Sequence, residues 1–259
     1  MAQIIALSPI FERRPAAVKK FREVVVIVHH YGGDKHSFSR HVDWLNELGY
    51  DVITFDLPVR SLSHIARSLP FNKNWDFGLR HVWADKIETV LGHLPEEKII
   101  FSFSFSSVAA LMAIGQRHAI DVKGWICEGG PFLQVDTGIF NLFSNEDLSP
   151  AFLKRISNMK IKKYFAKFAA AAIGGFGYEK NGKSQLNYLP ENFPILSIRS
   201  EKDELVKPQM IDQFFNGRSQ NQNFAKLELS HAGHLLGLKQ EPDIYKNRVQ
   251  EFLMSVSQR

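Results

Sequence analysis

The stretch Lys98-Ile99-Ile100-Phe101-Ser102-Phe103-Ser104-Phe105-Ser106-Ser107-Val108-Ala109-Ala110-Leu111 governs the reading of this chain. An apolar run that suits a buried strand leads into a serine-rich turn, and the turn leads into an alanine-rich helix. A nucleophile carried on such a strand–turn–helix junction sits in a strained backbone with its hydroxyl exposed. The turn brings strand and helix so close that the residues two before and two after the nucleophile must be small, which gives the pattern G-x-S-x-G. Four serines compete. Ser102 has Ile100 two before it, Ser106 has Val108 two after it, and Ser107 has Phe105 two before it. Ser104 alone has small residues on both sides, Ser102 and Ser106, each standing where glycine is usual.

The same rhythm extends outward. Val24–Val28, Asp51–Phe55, Lys98–Phe101, Gly124–Cys127, Pro194–Ile198 and Phe224–Leu229 read as strands. Phe38–Leu48, Trp83–Leu94, Ser106–Ile114 and Asp243–Val256 read as helices, the last with apolar residues at near-helical spacing. Alternation of strand and helix predicts an α/β fold with a doubly wound, mostly parallel sheet. Ligands of such sheets lie beyond the carboxyl ends of the strands. Polar and titratable residues collect there: His29 to Gly33, Asp56, Ser102 to Ser107, Glu128 to Gly130, Ser200 to Asp203 and Ser230 to His234.

The rhythm stops between Pro131 and Asn192. Residues 1–131 and 193–259 are expected to form the core, and 132–192 a helical insertion. Phe152 to Ala172 reads as helix, with a break near Ser157-Asn158, and Gly174-Gly175-Phe176-Gly177 as a loop. Lys154, Arg155, Lys160, Lys162, Lys163 and Lys167 carry no acidic residue among them. The run is either a solvated basic face on a helix that packs through its apolar side, or part of a cap that meets an anionic or lipid-associated substrate.

Composition sets outer bounds. The 259 residues contain 44% hydrophobic and 23% charged side chains, ordinary for a globular protein. The 21 Phe are first of all core material. Cys127 is the single cysteine, so no internal disulfide can form and nothing calls for an oxidising compartment. The amino-terminal Ile4 to Ile10 run is too short for a signal peptide or membrane span, which makes the cytoplasm the default expectation. A net charge of +5 suits anionic partners, but no nucleic-acid motif accompanies it.

Over nearly its whole length the chain resembles the α/β-hydrolase superfamily, in its serine-nucleophile branch. His29-His30-Tyr31-Gly32-Gly33 is similar to the family's H-G-x-G-G loop, and Asp51 to Pro58 to its F-D-x-P segment. Ser102 to Ser107 is similar to its nucleophile elbow, Arg199 to Asp203 to its acid loop, and Ala232-Gly233-His234 to its final G-H. The resemblance implies Ser104 as nucleophile, His234 as base and Asp203 as the acid that orients it. His234 follows the last strand and precedes the terminal helix, whereas His231 lies too close to the strand end and lacks the preceding glycine. Glu128, after the preceding strand, is the alternative acid, because some family members draw theirs from there.

The resemblance also implies an oxyanion hole made by the backbone N–H groups of Tyr31 and Phe105. His30 stands where the family has glycine and places an imidazole near a substrate pocket, with Phe152, Phe165 and Phe168 as further wall residues. A serine nucleophile points to a small-molecule carboxylic ester or thioester, with no cofactor. Two other readings stay open. One is a degenerate relative that binds without turning over. The other is a metal-dependent hydrolase using His29, His30, Asp34, His36 and His41, whose spacing matches neither H-x-H-x-D-H nor H-E-x-x-H.

Overall fold

A computed structural model describes residues 10–58, 79–115, 121–145, 154–174, 178–218 and 221–258. Its centre is a seven-stranded sheet: β1 (Glu12–Arg14), β2 (Val24–Val28), β3 (Asp51–Thr54), β4 (Lys98–Phe103), β5 (Val122–Glu128), β6 (Ile195–Ser200) and β7 (Phe224–Leu229). The spatial order is β1-β3-β2-β4-β5-β6-β7, parallel except for β1.

Side chains alternate across the sheet with period two. Val24, Val26 and Val28 face one layer, which contains α2 (Leu79–Gly92), α3 (Ser106–Ile114) and α7 (Pro208–Phe215). Val25 and Ile27 face the other, which contains α1 (Ser39–Leu48) and α9 (Pro242–Ser257). With both faces covered, every residue of β2, β3, β4 and β6 is buried; β2 is apolar throughout, while β3, β4 and β6 are apolar in the main with buried polar residues such as Asp51, Ser102 and Arg199. Gly49 ends α1 in the left-handed region at φ 106°, returning its N–H to Leu45 and Asn46 carbonyls, a conformation that favours glycine.

The chain moves from β2 outward to β3, then crosses β2 to enter β4. The strand order therefore reverses between β2 and β4, and the loops leaving these two strands diverge over a crevice. The register is level along that edge: Val28 pairs with Ser102, Phe103 with Glu128, Glu128 with Ile198, and Ser200 with Leu229.

Some elements escape the sequence pattern. β1 is three polar residues held to β3 at the sheet edge, with Arg13 paired to Asp51 and Glu96. Helix α7 begins at Pro208 and is only eight residues long. Between β5 and β6 lie α4 (Val135–Ser144), α5 (Met159–Gly174), α6 (Tyr178–Ser184) and a 3₁₀ turn at Gln185–Tyr188; α8 (Gly237–Gln240) precedes α9. The expected break near Ser157-Asn158 coincides with the start of α5, where the Asn158 side chain accepts the Lys160 N–H at 3.0 Å. Phe152 and residues 175–177 of the expected loop lie outside the described residues.

The segment between β5 and β6 is tied into the core, since Phe132, Val135, Tyr178, Leu186 and Leu189 join the cluster formed by α3 and α7. Helix α5 differs from the simple expectation of an apolar side packed inward. Among its described side chains Ala166 is the buried one, while Tyr164, Phe165 and Phe168 are 75%, 45% and 74% exposed. Small alanines let α5 approach its neighbours, which leaves the large rings outside. Among the described residues no helix is long and apolar enough to cross a membrane.

Candidate active site

Ser104 is the first residue after β4, and its backbone is left-handed at φ 57°. A non-glycine residue held there is strained, and the surroundings must impose the geometry. Two backbone bonds do so: Ser104 N–H donates to Glu128 O at 2.7 Å, and Ser107 N–H donates to Ser104 O at 3.1 Å. Ser104 Oγ lies 3.1 Å from His234 Nε2, although the residues are 130 positions apart. His234 Nδ1 lies 2.6 Å from Asp203 Oδ2. Asp203 is almost fully buried, and its other oxygen accepts the Leu205 and Val206 N–H groups at 2.8 Å each. The three side chains thus form one continuous hydrogen-bonded line from a strained hydroxyl to a fixed carboxylate. Such a line can move a proton off the hydroxyl and stabilise the resulting imidazolium.

No protein-family model matches the sequence, and no curated protein matches it. Solved structures do match the fold. An esterase of Pyrococcus furiosus superposes with a TM-score of 0.66 at 17% identity, over 92% of this chain and 83% of that one. An alpha/beta hydrolase from a sediment metagenome of the Mar Chica lagoon gives 0.62 at 17% identity, over 96% and 97%. A monoacylglycerol lipase of Paleococcus ferrophilus gives 0.62 at 16% identity, over 95% and 99%. The chain adopts the α/β-hydrolase fold.

The departures from the α/β-hydrolase elbow pattern have local explanations. Ser102 Oγ accepts the Trp125 indole N–H at 2.8 Å and donates to Ser107 Oγ at 2.9 Å. Ser106 Oγ donates to Phe103 O at 2.8 Å. Both serines are fully buried, and each hydroxyl finds partners that a glycine would leave without it. Gly129 and Gly130 are site residues that motif reading passed over. A side chain on Gly130 would fall on the Ser104 carbonyl, and one on Gly129, at φ 64°, would press on the His234 ring and Leu235. The signal was the Gly-Gly pair directly after a buried strand.

The remaining predicted residues divide. The N–H groups of Tyr31 and Phe105 donate to no partner among the described residues. The Phe105 ring is packed by Tyr178 at 5.5 Å, Trp83 at 6.1 Å and Phe132 at 6.3 Å, and Tyr31 reaches Trp83 at 6.0 Å. This aromatic group was not foreseen, because its members come from five separate segments. Phe165 and Phe168 stand on the exposed side of α5 instead of in a buried wall. His30 packs edge-on to Phe38, and burial, with His29 and His234 nearby, pushes its pKa down to about 4. Glu128 hydrogen-bonds Tyr245 and the Gly237 N–H, while Asp203 holds the His234 ring.

The histidines that cluster in sequence serve separate places. His29 Nε2 accepts the Leu57 N–H at 2.9 Å and its Nδ1–H donates to His30 O at 2.8 Å, tying the loops after β2 and β3. His36 meets Arg14 at 3.3 Å, and His41 is buried against Tyr245 at 3.0 Å. Among the described residues no three His, Cys, Asp or Glu side chains converge as a metal site would require.

Proposed function

We propose that the chain is a serine hydrolase that cleaves a carboxylic ester or thioester through an acyl-enzyme on Ser104. The observation that carries this reading is the unbroken Ser104–His234–Asp203 line, with hydrogen bonds of 3.1 and 2.6 Å. In acylation Ser104 Oγ attacks the substrate carbonyl carbon, and its proton passes to His234 Nε2. The carbonyl oxygen becomes an oxyanion facing the Tyr31 and Phe105 N–H groups, each donor being worth a few kcal/mol in such sites. The tetrahedral centre collapses, the bond to the alcohol or thiol breaks, and His234 returns its proton to the leaving group. Water then attacks the acyl-enzyme with His234 again as base, which releases the acid and restores Ser104. Structures named esterase and monoacylglycerol lipase share the fold, which favours carboxylic esters as the first substrates to try.

Residues 132–192 serve in this reading as a cap, and α5 as a contact for an anionic lipid surface. At about 100° per residue, Ile161, Tyr164, Phe165 and Phe168 fall within one arc, roughly opposite the buried Ala166. Lys160, Lys163 and Lys167 flank it, all exposed. Apolar rings beside lysines match the boundary between acyl chains and acidic headgroups.

The deciding experiment is labelling with a fluorophosphonate, with the modified residue located by mass spectrometry, beside a panel of aryl esters and acyl-CoA thioesters. Label on Ser104 that Ser104→Ala abolishes, together with ester turnover, is the expected result. No label and no turnover on a folded protein would leave a binding protein instead.

A further inference from the structure

Glu128, the last residue of β5, is 1% exposed. Its carboxyl Oε2 accepts the Tyr245 hydroxyl at 2.5 Å, and its Oε1 accepts the Gly237 N–H at 3.3 Å. The groups that face it are His41 from α1, Tyr245 from α9, and His234 with Asp203 across the sheet edge. His41 Nε2 stands 3.9 Å from Oε2, and burial holds that imidazole neutral with a pKa of about 3. Among the described residues no lysine or arginine pairs with the carboxyl. A buried acid without a cation is expensive, and an apolar side chain of like size is usually better tolerated. Burial accordingly pushes the Glu128 pKa up to about 7.

The position of this residue explains its retention. Its carbonyl holds the strained Ser104 turn, through the 2.7 Å bond from Ser104 N–H. Its carboxyl holds Gly237, three residues past His234 and at the start of α8. The rest of the His234 loop is pinned similarly: Glu241 accepts the His231 and Ala232 N–H groups at 2.9 Å, and Gln240 accepts the Gly233 N–H at 2.8 Å. Gly237 leaves no room for a side chain, which would strike Leu229 and Tyr245. One residue thus touches both the turn that carries the hydroxyl and the loop that carries the imidazole.

We propose that Glu128 is a positioning residue that sets the distance between Ser104 and His234, its carboxyl fixing the His234 loop through the Gly237 N–H while Tyr245, itself hydrogen-bonded to His41, holds the carboxyl. The catalytic consequence rests on the serine-hydrolase reading, whereas the geometry of His234 does not.

The test compares Glu128→Gln with Glu128→Leu. Glutamine keeps an acceptor for Gly237 and can donate to Tyr245, which then donates to His41; leucine keeps the volume and loses both bonds. Two readouts are taken on protein shown folded by circular dichroism. One is the rate of fluorophosphonate labelling and of p-nitrophenyl acetate turnover. The other is the low-field proton resonance of the short His234–Asp203 hydrogen bond, which needs no turnover. Glu128→Leu is expected to lower labelling and kcat about tenfold, the scale of one buried hydrogen bond, with KM within about twofold. Its low-field proton should broaden or vanish, and Glu128→Gln should restore both readouts to within about threefold of the unmodified protein. Labelling at the unmodified rate per folded molecule, with the proton intact in Glu128→Leu, would overturn the proposal. Should Glu128→Leu fail to fold, Tyr245→Phe removes the support of Oε2, together with the hydroxyl's bond to His41, and leaves the Glu128 side chain itself unchanged. A weakened low-field proton there supports the positioning, and an unchanged one overturns it. If the unmodified protein takes no label yet its low-field proton responds to Glu128, the hydrolase reading fails and the positioning stands.

Discussion

Asp203 divides its carboxylate between two tasks: Oδ2 meets His234 Nδ1 at 2.6 Å, while Oδ1 accepts the Leu205 and Val206 N–H groups at 2.8 Å each. The backbone bonds fix the carboxylate so that it in turn fixes the imidazole. Asp203→Asn keeps the shape but favours the wrong imidazole tautomer, and kcat should fall about 10³- to 10⁴-fold. Glu128→Gln should cost far less, by the argument above. Steady-state turnover of an aryl ester by both variants checks this, and the reverse ranking would make Glu128 the acid.

The Ser102 hydroxyl is the acceptor for the buried Trp125 indole. Ser102→Gly restores the usual elbow residue but leaves that N–H without its acceptor, so stability should fall by about 1–3 kcal/mol. Labelling of Ser104 at a temperature well below unfolding should hold near its normal rate. Urea unfolding and labelling kinetics separate the two effects; a variant as stable as the parent would show that the hydroxyl contributes nothing.

Gly130→Ala tests the closeness of the loop after β5 to the Ser104 turn. The added methyl would meet the Ser104 carbonyl, so either the turn or the loop must shift. Labelling should drop by about 10²-fold, as displacements of about 1 Å do at catalytic groups. The labelling rate of folded variant protein measures it, and an unaltered rate would mean that the turn yields without harm.

Acid stability should turn on the buried histidine. His41 has a folded pKa of about 3 against an ordinary 6.5, because burial disfavours its charged form. Between those values the unfolded chain binds the extra proton, so this contribution is complete above pH 6.5 and is lost as pH falls toward 3. Glu128 acts in the opposite sense: raised by burial from 4.5 to about 7, it contributes below pH 4.5 and loses that contribution as pH rises through 7. His41→Gln should therefore flatten the decline below pH 6.5. Thermal midpoints from pH 4 to 8 report this, and a slope identical to the parent's would assign the acid sensitivity to other groups.

Helix α5 should bind acidic vesicles. Cosedimentation with phosphatidylglycerol vesicles is expected, weakening with salt because exposed charges are screened beyond about 8 Å at physiological ionic strength. Lys160, Lys163 and Lys167 changed to Gln, or Phe165 and Phe168 changed to Ser, should reduce binding without changing turnover of a soluble ester. Equal binding to neutral phosphatidylcholine, or none to either, would remove the anionic-surface role.

Local rules settled much of this protein from sequence. Strand runs buried on both faces and a final helix with near-helical spacing announce themselves, because solvent exclusion acts on every residue of such elements. Steric size at two positions singled out Ser104 among four serines, since the crowding of a strand–helix turn is a short-range effect. The polar three-residue β1 carried no such signal, being held by pairing to β3 and by ion pairs. The choice between Asp203 and Glu128 depended on which carboxylate points at His234 across the crevice, a matter of side-chain direction between strands that neighbouring residues do not encode. The outward rings of α5 were equally hidden: composition shows an amphipathic helix, but which side packs is decided by the neighbours, and here a close approach through small alanines left the aromatic side in solvent.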